Sequence, residues 1–99
     1  MIIVSGSFQF APEHLERVRE EMSRVEGATR AEAGCRTYAF YVDRDDPCRF
    51  RVYEEWDSWQ ALDAHGGSAH IAAYRAVLAE IGLLQREVRA FEVGEPREL

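Results

Sequence analysis

The sequence predicts an α+β domain in which four strands form one antiparallel sheet, in the order β-α-β-β-α-α-β. Three observations carry this. Residues 2–10 and 48–56 alternate apolar and polar side chains, as half-buried strands do. A stripe of apolar residues at spacings of three and four follows Pro12, as in an amphipathic helix. A second helical stretch, from Asp57 to Ile81, is broken by Gly66-Gly67. This order is the split βαβ, ferredoxin-like arrangement with its second helix divided in two.

The first strand places Ile2, Val4, Phe8 and Phe10 on one face and Ser5, Ser7 and Gln9 on the other, with Ile3 alone breaking the pattern. Pro12 suits a first helical turn, and Glu13 sits near the positive end of the helix dipole. Leu15, Val18, Met22 and Val25 form the buried stripe, and Glu13/Arg17 and Glu20/Arg24 offer i,i+4 pairs on the wet side. His14 lies on that wet side. A hairpin follows Gly34, turning around Arg44-Asp45-Asp46-Pro47. Pairing Asp43 with Pro47 puts Tyr38, Phe40 and Val42 on one face with Cys48, Phe50 and Val52, and sets Arg36 opposite Glu54. Asp57, with Gln60 three residues on, reads as the capping box of a short helix carrying Trp59 and Leu62. Ser68 caps the next helix, whose buried stripe is Ile71, Tyr74, Leu78 and Ile81 and whose stop is Gly82. A last strand spans about 85–93. Residues 1–93 are expected to form a single domain and 94–99 a loose tail.

Composition sets limits. A chain of 99 residues buries roughly 60 to 70% of its unfolded surface around one core. Twelve arginines, no lysine and 18 acidic residues give a net charge of −6, which disfavours nucleic acid and anionic membrane surfaces as partners. The opening MIIVSGSFQF has no basic n-region and is too short an apolar run for a signal or a span, so a cytoplasmic location is expected. Cys35 and Cys48 fall in opposite arms of the hairpin, one beside the turn and one about 23 Å away at ~3.3 Å per residue. That exceeds the roughly 7 Å reach of a disulfide, so both are expected as reduced core thiols. The sheet face away from the helices carries Ala39, Tyr41, Tyr53 and arginines, with Phe91 or Ala90 according to register. It is too apolar to stay wet, and a second copy of the chain is expected to cover it as a homodimer.

The ordered set Glu32-Ala33-Gly34-Cys35, Tyr38, Phe50, Val52, Glu54, Trp56, Ala61-Leu62, His65, Ser68 and His70 resembles the antibiotic biosynthesis monooxygenase domain of the dimeric α/β-barrel superfamily. The resemblance runs from about Ile2 to Val93. It implies a homodimer with an apolar pocket between sheet and helices in each subunit, and oxidation of quinols or hydroxylated, polyketide-like aromatics by O2 without flavin, haem or metal. It also admits a non-catalytic reading, a small-ligand-binding or stress-related homodimer. Trp56 matches a pocket tryptophan of the family, able to stack on a ring and donate one hydrogen bond. His65 and His70 match two histidine positions at the helix break, where a neutral imidazole can take a phenol proton.

His65, Trp56 and Tyr74, the last by its place on the inward stripe of its helix, are thus expected as catalytic residues, and His70, Tyr38, Arg75, Phe50 and Trp59 as substrate contacts. Arg75 offsets a phenolate from the rim, and Glu54 is expected as a structural carboxylate paired with Arg36 or a backbone cap. His65 and His70 across a Gly-Gly break are not at ligand spacing, so no metal is expected. The chain lacks a Gly-rich phosphate loop, so no nucleotide cofactor is expected either. The first strand holds Ser5 and Ser7 but no Asn, which argues against the haem-degrading branch of the superfamily.

Overall fold

The computed structural model describes residues 1–99. Strand β1 (Ile2–Gln9) leads through a 3-10 turn (Pro12–His14) into α1 (Leu15–Arg30). The hairpin β2 (Cys35–Val42) and β3 (Arg49–Trp56) follows, then α2 (Trp59–Gly66), α3 (Ala69–Ile81) and β4 (Gln85–Glu92). The sheet order is β2-β3-β1-β4, with every neighbouring pair antiparallel. This is the predicted ferredoxin-like α+β fold, with an open sheet. No helix is long and apolar enough to cross a membrane.

The period of two sorts side chains as the sequence demands. Ile2, Val4, Phe8, Phe50, Val52 and Trp56 are buried on the helix side of the sheet. There they meet Val18, Met22 and Val25 from α1 and Ile71 and Tyr74 from α3 in two adjoining clusters. Phe10 stacks on Phe50 at 5.7 Å between ring centroids, and Phe8 on Phe50 at 6.1 Å. Each such buried side chain contributes about 1.5–3 kcal/mol. Gly6 is required by the approach of β4: a Cβ there would lie 2.2 Å from the Glu87 carbonyl oxygen and 2.3 Å from Val88 Cα. The left-handed φ of +74° at Gly82 ends α3, where the glycine N–H donates to the Leu78 carbonyl.

The hairpin register departs from expectation by two residues. Val42 pairs with Phe50, Phe40 with Val52 and Tyr38 with Glu54, because the turn is longer than predicted and closes with the Asp43 N–H donating to the Arg49 carbonyl. A shift of two preserves the faces but changes the partners. Arg36 consequently pairs with Asp57, not Glu54. That ion pair, together with the Asp57 N–H donating to the Gly34 carbonyl, draws Asp57 away from the helix start. Ser58 caps α2 in its place, its Oγ accepting from the Ala61 N–H at 3.1 Å. On α1 the anticipated i,i+4 pairs give way to Arg17–Glu80, which ties α1 to α3, and to Arg24–Glu21.

Both cysteines are free, with Cys48 buried. The helix-free face of the sheet presents Tyr41 and Phe91, 56% and 48% exposed. Pairing of Ile3 with Phe91 and of Val4 with Ala90 assigns Phe91 to this face and Ala90 to the helix side.

Candidate active site

A cavity of about 410 Å³ opens between the helix side of the sheet and helices α2 and α3. Val4, Val52, Leu62, Ile71, Leu78 and Val88 supply much of its apolar wall. Its buried polar groups are few: Glu54 from β3, Tyr38 from β2, His65 from α2 and Tyr74 from α3, with the exposed carboxylate of Asp63 at the margin. Three arginines, Arg75, Arg86 and Arg89, stand at its exposed margin.

The Gly66-Gly67 break fixes His65. The Gly67 N–H returns to the Asp63 and Ala64 carbonyls. Ser68 caps α3 by accepting from the Ile71 N–H and donates its own hydroxyl to the His65 carbonyl at 2.7 Å. His65 is therefore held at the last turn of α2, only 6% exposed. Its ring centroid lies 4.8 Å from that of Trp56 and 5.4 Å from that of Tyr38. Glu32, in the turn after α1, places Oε2 2.6 Å from His65 Nδ1. A carboxylate at Nδ1 selects the tautomer protonated there and leaves the Nε2 lone pair for the cavity. Burial pushes His65 below the usual imidazole range, against the opposing pull of Glu32. At neutral pH the ring is thus an uncharged acceptor.

Glu54 is the second buried ionisable group. Trp56 Nε1–H donates to Glu54 Oε1 at 2.9 Å. Burial nevertheless raises the carboxyl above its ordinary range, the indole bond only partly offsetting it. The phenols of Tyr38 and Tyr74 are both raised, chiefly by burial, so they remain neutral hydrogen-bond donors. The charge of Arg86 opposes the shift at Tyr74, which places that guanidinium within electrostatic reach of the phenol. Arg75 donates through Nη1 to the Gly66 carbonyl at 2.9 Å, spanning the helix break.

The profile of the antibiotic biosynthesis monooxygenase family matches residues 1–77. The chain belongs to the antibiotic biosynthesis monooxygenase family. Among curated proteins, "Putative monooxygenase Rv0793" of Mycobacterium tuberculosis is 34% identical over 80 residues, covering 81% of this chain and 78% of that protein. The crystal structure of a "putative antibiotic biosynthesis monooxygenase" from Deinococcus radiodurans superposes with a TM-score of 0.94 at 26% identity, over 100% of this chain and 98% of that one. The structure of Rv0793 superposes with a TM-score of 0.87 at 29% identity, over 98% of each chain.

In this family member, four of the eight residues singled out in the sequence line the cavity: His65, Tyr74, Tyr38 and Arg75. The other four do not. Trp56 is 0% exposed and stands behind Glu54 and His65, so it touches no cavity space; its indole acts on the site through its bond to Glu54. Phe50 belongs to the phenylalanine cluster at the far end of the sheet. Trp59 opens α2 on its outer side, 44% exposed. His70 lies behind His65, its Nε2 3.4 Å from Glu32 Oε2.

Two carboxylates complete the site in roles the sequence did not indicate. Glu54 carried a signal, an acidic residue at an inward position of an alternating strand, but the shorter hairpin turn had assigned it to Arg36. Glu32 was part of the run that carries the family resemblance, but its pairing with His65, 33 residues away, was not indicated.

Proposed function

We propose that this protein is a monooxygenase that oxidises a quinol or other hydroxylated aromatic with O2, using the substrate's own electrons and no cofactor. The observation that carries this reading is the Glu32–His65 dyad set in the wall of an apolar cavity large enough for an aromatic ring system. His65 Nε2 takes the phenolic proton, and the imidazolium so formed is stabilised by Glu32. Tyr74 donates to the oxygen on which charge develops, with Arg86 and Arg75 adding positive potential from the margin. The phenolate passes one electron to O2. The resulting superoxide and phenoxyl radical combine at a ring carbon bearing hydrogen, and the hydroperoxide loses water to leave a carbonyl. One oxygen atom enters the ring and the other departs as water, so a naphthohydroquinone and O2 yield a hydroxynaphthoquinone and H2O. Apolar walls favour this course by keeping bulk water from the reacting carbon.

Tyr41, Tyr53 and Phe91 on the uncovered sheet face support assembly as a homodimer through that face.

The test is O2 consumption by the chelator-treated protein with a panel of naphthohydroquinones, with ¹⁸O₂ to trace the inserted atom. Acceleration over buffer with one labelled oxygen in the product is the expected result. Ligand binding without acceleration across the panel would overturn catalysis and leave a small-molecule-binding dimer.

A further inference from the structure

The break between α2 and α3 gathers more polar groups than proton transfer needs. Glu32, His65 and His70 each direct one ligand atom to a common point, and these atoms all lie within 4.8 Å of one another. Glu32 Oε2 is 2.6 Å from His65 Nδ1 and 3.4 Å from His70 Nε2. His70 Nε2 also hydrogen-bonds Ser68 Oγ, at 3.3 Å. His70 is thus directed toward Glu32 and His65 by the first turn of α3, held by one long hydrogen bond to Ser68. Three segments of chain converge here: the turn after α1, the end of α2 and the start of α3.

We propose that Glu32, His65 and His70 form a binding site for a late first-row divalent cation, zinc foremost, held by two imidazoles and one carboxylate. A tetrahedral cation with bonds of about 2.0–2.1 Å spaces its ligand atoms roughly 3.4 Å apart. The observed separations bracket that value, so coordination asks Glu32 and His65 to part slightly and His70 to close. The donor set narrows the ion: two nitrogens and one carboxylate suit zinc, cobalt, nickel or iron(II), whereas calcium and magnesium require more oxygen ligands than the site offers. The Glu32 and His70 side chains each remain 19% exposed, which provides an entry path and a fourth position for water. Sequence spacing conceals the site because the histidines flank two glycines and the carboxylate comes from another element.

Occupancy changes the chemistry of His65. A cation on Nδ1 replaces the hydrogen bond to Glu32, and the ring proton moves to Nε2. The imidazole then presents a donor to the cavity where it had presented an acceptor. That consequence rests on the role assigned to His65 above; the binding itself does not.

The whole protein, stripped with chelator and dialysed, is titrated with cobalt(II) followed by visible absorption, and with zinc sulfate by calorimetry. One cobalt per chain is expected, displaced by zinc and not by magnesium. His70→Ala and Glu32→Gln alter partly exposed side chains and spare the core; each is expected to weaken zinc binding by at least roughly tenfold, while His14→Ala leaves it unchanged. Absence of stoichiometric binding, or equal affinity in wild type and His70→Ala, overturns the site. None of these readouts uses turnover, so a failed titration leaves the proposed oxidation standing, and an inactive protein that binds zinc leaves the metal site standing.

Discussion

Trp56 Nε1–H donates to Glu54 Oε1 at 2.9 Å, and both side chains are buried on the helix side of β3. Two residues apart on one strand, they share a face by the period of two, so the indole holds a carboxyl that the apolar wall would otherwise push still further from ionisation. Trp56→Phe keeps an aromatic ring but removes the indole N–H and part of its buried volume, leaving the carboxyl without its donor. Loss of about 1–3 kcal/mol is expected, read by chemical denaturation.

Glu54 also imposes a pH dependence with a definite sign. Its folded pKa is raised, so the folded state binds the proton more tightly than the unfolded chain. The stability contributed by the neutral carboxyl is complete below the ordinary carboxylate range and is lost as pH rises through the raised folded value. Glu54→Gln removes this slope. Denaturation midpoints across that window that fall equally in wild type and variant would refute the assignment.

His65 is shifted the other way. As the base it must be uncharged, and burial keeps it so below the ordinary imidazole pKa of about 6.5. Turnover is expected to persist on the acid side of that value. Glu32→Gln removes the two largest influences holding His65 up, so the acid limb of the rate profile moves to lower pH and the rate falls. His65→Ala should cost ~10²–10⁴-fold in turnover and His70→Ala less; equal losses would remove His65 as base.

Gly6 allows β4 to lie against β1. Gly6→Ala places a methyl group into the Glu87 carbonyl and Val88, and backbone offers no flexible end to yield. A cost of about 1–3 kcal/mol from overpacking is expected. Amide exchange should report it as preferential loss of protection in β4, since β1 is the only strand that pairs with it.

The uncovered sheet face gives a further variant. Phe91→Arg adds charge to the patch with Tyr41 and Tyr53, and light scattering should show a shift from twice the chain mass of 11.3 kDa toward that mass. A wild type already monomeric at micromolar concentration removes the dimer.

Local pattern made most of the fold legible. The alternation in β1 and β3, the stripe of α1 and the capping serine of α3 each encode structure within one element, and each formed as read. Pairings that depend on loop geometry were less legible. Two extra residues in the Asp43–Arg49 turn moved Glu54 from Arg36 to face Tyr38, and the Arg36–Asp57 ion pair handed the α2 cap to Ser58. In the site, Tyr38 and Tyr74 were recognisable by type and inward phase, and His65 through the family resemblance. Trp56 was not, because an inward indole at a strand end can meet a cavity or a neighbouring helix, and here α2 lays His65 against it. Glu32 depends on the docking of α1 beside the α2–α3 break, which no spacing in the chain encodes.

Strand β4 contributes Arg86, Val88 and Ala90 to the cavity wall while pairing only with β1. On that flank the exposed guanidinium of Arg86 stands beside the side chains of Val88 and Ala90. A ligand that joins a negative group to an apolar body would set the first against guanidinium and the second against hydrocarbon, and added salt is expected to weaken the first contact and spare the second.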